Sequence, residues 1–206
     1  SGGAQGGGNQ GGSGQGGGGG LGGDPYDIPA NPPAAVLVPT PRLARLSRQQ
    51  WSNTVRDLLK LPDISDVEAD VSGDALIGFD NQADALFVTE QLRRQLFDAS
   101  EKLADRVTAD TAALARLVPA DAPADAAGRA RAFVTSFGLR AFRRPLTDAE
   151  VTDHLALFNQ GPTLYPNVDA FNAGASLVIQ AMLQSPHFLY RTELGTQAVA
   201  GKVPLD

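Results

Sequence analysis

Cysteine is absent from the 206 residues of this chain, which excludes disulfides, thiolate metal sites, thiol nucleophiles and covalent c-type haem attachment within them. Basic charge is scarce: 17 Lys and Arg stand against 23 Asp and Glu, for a formal net charge of -6. Nucleic acid and anionic membrane surfaces are therefore poor partners, because too few cations are present to release their counterions. Long apolar runs are missing. None approaches the roughly 18 residues of a membrane span, and the longest are interrupted by Arg, Asp or Gln at helical spacing. Strand-type alternation is essentially absent too, and the periodicity that is left predicts an all-α fold, a compact multi-helix domain. Methionine occurs once, at Met182, so Ser1 is not a translation start and a preceding segment is expected.

What the chain has in excess is glycine, and fifteen of its twenty-three glycines lie between Ser1 and Gly23. No core can form there. Residues 1–23 are expected to be a flexible, disordered tether with a reach of about 25 Å. These glycines precede no strand and no Gly-Lys-Ser, so they are not a phosphate-binding loop. Residues 24–41 hold six prolines and read as a stiff, polyproline-like spacer. Order is expected from about Arg42. Residues 42–118 and 119–194 then read as a first and a second helical module. Residues 195–206, with Val203-Pro204-Leu205 near their end, read as the start of a missing continuation.

Capping chemistry punctuates both modules. Ser47 and Gln50 have capping-box spacing, with Leu46 and Trp51 as a hydrophobic staple; Thr147 and Glu150, with Leu146 and Val151, repeat the device. Helices are predicted from Ser47 to about Lys60, from Thr89 to about Val107, over Thr111–Leu117, Ala122–Phe142 and Asp148–Asn159, and from Asn167 or Asp169 to Gln184. Gly161-Pro162 reads as a stop, and Ser185-Pro186 as N-cap and N1 of a last turn from His187 to Arg191. The helix ending at Gln184 is apolar over the widest arc and is expected to be central. That arc is wider than its neighbours would cover. Phe171, Val178, Met182, Phe188 and Tyr190 are accordingly expected to include residues buried only against a continuation or another chain.

No complete catalytic constellation is legible. Two histidines, His154 and His187, supply neither a His-x-x-x-His metal pair nor a Ser-His-Asp ordering. His154, next to Asp153, reads as a surface residue. His187, beside Phe188 and Tyr190, reads as a capping or packing histidine, with a place in a site as the alternative. Arg140, Arg143, Arg144 and Arg191 fall at helix C-terminal ends, where they compensate the macrodipole; an anion site is the alternative. Between Leu61 and Asp84 there are seven acidic residues and no Lys or Arg, in what reads as a long irregular loop. Within it Asp80, Asn81 and Asp84 form a calcium candidate that departs from the EF-hand order, lacking the turn glycine and the final Glu. The alternative there is a solvated loop whose Phe79 and Leu86 plug into the helices.

Four stretches carry a resemblance: Arg45-Leu46-Ser47 through Asn53-Thr54-Val55-Arg56-Asp57-Leu58-Leu59, Gly78 through Leu86, Ala141 through Glu150, and Gln180 through Arg191. In this order they resemble the amino-terminal modules of the large exported proteins of unknown function found in planctomycetes and myxobacteria, whose later modules carry a Cys-x-x-Cys-His cytochrome-like motif. The resemblance covers about residues 42–193. It implies a bacterial cell-envelope location, a c-type haem in the part beyond this chain, and no haem ligand or other cofactor on any residue here. The glycine-rich leader also looks like the tether that follows the acylated cysteine of a lipoprotein, so membrane contact would come only through a lipid anchor upstream of Ser1. The implied function is a docking and scaffold half of a c-type-cytochrome-like, redox-associated protein, without catalytic chemistry of its own. Its partner would be its C-terminal continuation or another chain. Two alternatives stay open: an envelope enzyme whose site is shared between the halves through His187, Arg191, Asp80 and Asp84, and a tethered surface adhesion module.

Overall fold

The computed structural model describes Gly2, residues 42–74 and residues 88–193. The expected spacer, the Asp80, Asn81 and Asp84 candidates and the continuation lie outside the described residues, as does the tether apart from Gly2. Among the described residues are eight helices and one two-stranded ribbon.

Strand β1 (Arg42–Arg45) enters α1 (Arg48–Leu59) through Ser47. Both halves of the capping box form: Gln50 N donates to Ser47 Oγ, and Ser47 N donates to Gln50 Oε1 at 3.0 Å. The face carrying Trp51, Val55, Leu58 and Leu59 is buried, and Lys60 closes the helix in the left-handed region at φ 53°. The acidic stretch that follows is less irregular than expected. Its first half forms α2 (Ser65–Ala69), because Ile64, Val67 and Val71 recur at helical spacing and sink into the core. Its charges find cations on α3 (Glu90–Ala109), where Arg106 pairs with Asp66 and Lys102 with Asp70 at 2.5 Å.

After α3 come α4 (Thr111–Ala115) and α5 (Ala126–Phe142). The latter starts later than Ala122 because Asp125 is its N-cap, accepting from Gly128 N at 2.7 Å. Next is α6 (Asp148–Leu164), which runs through Gly161-Pro162 instead of stopping there. Pro162 has no N–H to give Phe158 O, its partner one turn back. That carbonyl lies instead against Gly174 of α7 (Ala170–Gln184), where a Cβ would come within 2.6 Å of it. The helix tolerates the proline because a backbone without a side chain packs where the hydrogen bond is lost.

As expected, α7 is the central helix, packed against α3, α5 and α6. It ends at Ser185, which caps α8 (Pro186–Leu189), and the chain continues into β2 (Tyr190–Glu193). The all-α expectation holds, and the ribbon beside the helices has four-residue strands, too short to show alternation in the sequence. It is antiparallel, pairing Arg42 with Glu193 and Arg45 with Tyr190, and Leu46 N extends it by donating to Leu189 O at 2.8 Å.

Burial corrects the expected interface at three of its five residues. Val178, Met182 and Phe188 are 0 % exposed, covered by the chain's own helices. The small residues Gly161, Ala173, Gly174 and Ala175 explain it: they let α6 and α7 approach main chain to main chain, so α7's wide apolar arc needs no outside cover. Phe171 is half-buried, with its ring against Phe158 and Phe133 (centroids 5.4 and 5.8 Å) and the Arg129 guanidinium 4.0 Å over its face. Tyr190 is half-buried at the head of β2.

Candidate functional site

The polar groups of the second half converge where α5 turns into α6. Phe142 ends α5, Arg143 takes φ 59° as its C-cap, and Thr147 caps α6. Glu150, three residues on, accepts from Thr147 N at 2.8 Å and from both Arg144 nitrogens at 2.8 and 2.6 Å. The Arg144 hydrogen bonds, more than those from Thr147, hold the Glu150 carboxyl down at about 2, against the opposing effect of burial. So low a value leaves Glu150 ionised and saturated with donors, a clamp and not a proton shuttle at neutral pH.

Both histidines belong to this corner. His154 Nδ1 donates to Glu150 O at 2.6 Å, which fixes the proton on Nδ1 because a carbonyl only accepts. His187 is exposed, with Nε2 3.7 Å from Glu150 Oε1, beyond hydrogen-bond reach. The two rings flank Phe142, with centroids 6.0 and 5.2 Å from it. Arg143 reaches across to the end of α8, donating to Phe188 O at 2.8 Å and His187 O at 3.4 Å. Burial, then repulsion from Arg191, pushes its guanidinium below the usual arginine value. Arg140 performs the same service for α1 through Leu58 O at 3.4 Å. The helix-end reading of these arginines therefore holds for Arg140 and Arg143, while Arg144 is a salt-bridge partner and Arg191 stands exposed on β2.

The surface that results is a rim of His187 and of the positively charged Arg191 and Arg143 around a locked Glu150–Arg144 pair. Of the expected shared site, His187 and Arg191 lie on this rim; Asp80 and Asp84 are outside the described residues. Among the described residues no three His, Asp or Glu side chains are grouped to hold a metal ion. Sequence reasoning placed Glu150 only as a cap and set His154 apart on the surface. The one local signal for their meeting is the Thr147–Glu150 spacing, which puts Glu150 at the corner; nothing local shows that α8 returns to it.

A second polar cluster ties the start of the body together. Arg45, only 6 % exposed, pairs with Asp74, which also accepts from Arg48 N at the first turn of α1. Arg45 Nη1 donates to Leu46 O at 2.7 Å, and Arg48 Nη2 to Glu68 O at 2.8 Å. These bonds bind β1, α1 and α2 into one unit.

Two family models match the chain. Residues 44–109 match PSD3, a protein family of unknown function (DUF1587), and residues 129–193 match PSD5, another of unknown function (DUF1595). The PSD3 stretch runs from β1 to the end of α3, and the PSD5 stretch from α5 to β2, including the whole Glu150 corner. Every stretch that carries the resemblance described above falls inside one of them. No curated protein and no solved structure matches.

Proposed function

We propose that this chain is the docking and scaffold half of a c-type-cytochrome-like, redox-associated protein of the bacterial cell envelope, and that it contributes no catalytic chemistry of its own. The observation that carries the reading is the β1–β2 ribbon. It sets Arg42 opposite Glu193, so the segments flanking the folded body leave from one edge, in sequence next to Arg191 and the α8 end held by Arg143. A positive rim on a chain of net charge -6 favours an acidic surface as its complement, on the C-terminal continuation or on another chain. In this reading the haem belongs to that partner, and membrane attachment comes through a lipid anchor upstream of Ser1.

The test is a calorimetric titration of this chain with the separately produced Cys-x-x-Cys-His-bearing continuation, at low and high salt. Saturable binding, weakened several-fold by Arg191→Glu and by added salt, is expected. Absence of binding, or binding indifferent to both changes, overturns the proposal. A shared enzyme site is the second reading, favoured by an exposed His187 beside an ionised Glu150. It requires His187→Ala to lower turnover by the complete protein without altering its melting; unchanged turnover removes it.

A further inference from the structure

A cleft of about 380 Å³ opens where the end of α3 faces the α6–α7 connection and the first turns of α7. Asp105, Thr108 and Ala109 line it from α3, Tyr165 and Val168 from the connection, and Ala173 and Ser176 from α7. Its volume is in the range of small-molecule sites. Its wall is preformed: Tyr165 N donates to Gly161 O at 2.8 Å, Val168 N to Tyr165 O at 3.1 Å, and Asp169 caps α7 through Phe171 N and Asn172 N.

The polar groups of the floor are already engaged within the chain. Thr108 Oγ1 donates to Ala104 O at 2.9 Å, Thr108 O accepts from Asn172 Nδ2 at 2.8 Å, and Ser176 Oγ accepts from Gln180 Nε2 at 2.9 Å. Ala109, Val168 and Ala173 supply apolar surface. Val168 is 47 % exposed, and Leu164, just before the connection, is 57 % exposed. Among the described residues Asp105 is the one formal charge in the lining, and it makes no ion pair with any of them. The nearest cations on its own helix, Lys102 and Arg106, are engaged with Asp70 and Asp66. The C-terminal end of a 20-residue helix adds a partial negative charge at the same place.

We infer that this cleft binds an aliphatic ammonium group, with its carbon chain against Val168, Ala109 and Ala173 and its charged end at Asp105. A lysine side chain of a partner and a free alkylamine share this chemistry. The site is separate from the Glu150 corner, which lies beyond the other end of α7, and does not depend on the docking proposal.

The test is amide chemical-shift mapping on the full chain with hexylammonium, with 1-hexanol as the uncharged control and with acetyl-lysine methylamide. Hexylammonium is expected to shift the Ala109, Tyr165, Val168 and Ser176 amides saturably and to bind several-fold more tightly than hexanol. Asp105→Asn, an exposed change, is expected to erase that preference. Ala109→Leu, also at an exposed position, fills the opening and should weaken both ligands. Binding of the lysine amide as tight as hexylammonium assigns the site to a protein lysine; much weaker binding assigns it to a free amine. Equal affinity for hexanol and hexylammonium, a preference that survives Asp105→Asn, or saturable shifts located elsewhere would overturn the inference.

Discussion

Replacing Gly161 by alanine tests the packing that closes the core. A Cβ at this position would come within 2.6 Å of the Ala173 carbonyl carbon and closer still to the Gly174 amide nitrogen. Both are main-chain atoms, so no change of rotamer relieves the contact. Ordinary contact needs about 3.4 Å or more, which means that α6 and α7 must separate by roughly an ångström where they cross. Overpacking of this kind costs about 1–3 kcal/mol, and more when backbone must move. Alanine in a helix regains about 1 kcal/mol over glycine. The net expected loss is about 2 kcal/mol, a fall in Tm of about 4–8 °C for a body of this size.

Two other glycines supply the controls. At Gly138 a Cβ would meet only side-chain atoms of Leu146, Cδ1 at 2.5 Å, Cγ at 2.8 Å and Cδ2 at 2.9 Å, so the side chain must shift but no main chain must, and Gly138→Ala should cost less than Gly161→Ala. At Gly73 nothing lies within 4 Å, and alanine should change stability by no more than about 0.5 kcal/mol. Thermal denaturation of the four proteins decides the matter. If Gly161→Ala melts at or above the parent, or if Gly138→Ala falls as far, the close helix crossing does not set the packing and the account of the covered α7 face is wrong.

Glu150→Gln should reveal the corner clamp through pH. A carboxyl lowered from about 4.5 to about 2 contributes stability that is complete above its unfolded value and lost as the pH falls through about 2. The variant should lose about 1–2 kcal/mol at pH 7, the pair being partly exposed, and show a flatter stability profile between about pH 4.5 and 2; an unchanged acid limb counts against the clamp. Lys60 and Arg143 both occupy the left-handed region, at φ 53° and 59°. Lys60→Gly loses only an exposed bond from Nζ to Arg116 O at 2.6 Å and should be neutral or gain up to about 1 kcal/mol, whereas Arg143→Gly should be destabilising despite the same backbone relief, because it releases both α8 carbonyls. Equal responses in denaturant would refute the role given to Arg143. Met182→Ala should cost about 2–4 kcal/mol as a core truncation; a variant of unchanged stability that only loses self-association would restore Met182 to an interface.

The features legible in the sequence were local ones. Ser47 with Gln50, Thr147 with Glu150, Asp169, and Ser185 before Pro186 each determine a helix start within a few residues, and all four form. The features that were not legible depend on partners far along the chain. The acidic stretch looks unpaired until Arg106 and Lys102 arrive from 40 and 32 residues away to meet Asp66 and Asp70. Pro162 reads as a stop unless Gly174 is known to stand opposite Phe158 O. His154 reads as surface unless α8 is known to bring His187 to the same phenylalanine. Coverage of α7 was misjudged because glycine and alanine count for little in an apolar pattern, although they decide how closely two helices approach.

The two matched families meet in one core, and that bears on what the unit of folding is. The buried face of α3, at the end of the PSD3 stretch, packs against α7 in the middle of the PSD5 stretch, and β1 of the first pairs with β2 of the second. Polar bonds cross the same boundary: Asn172 Nδ2 to Thr108 O, Arg140 to Leu58 O and Leu46 N to Leu189 O. Each fully buried large side chain stranded by separation forfeits about 1.5–3 kcal/mol, and losing only a handful exceeds the 5–15 kcal/mol that hold a typical domain together. Residues 42–118 and 119–194 produced apart should therefore each lack a cooperative unfolding transition, and mixing the two should restore near-ultraviolet dichroism and one common melt. A cooperative melt by either piece alone would mean that the shared core is an interface between two self-sufficient domains, and the ribbon would then be a clasp rather than part of a single fold.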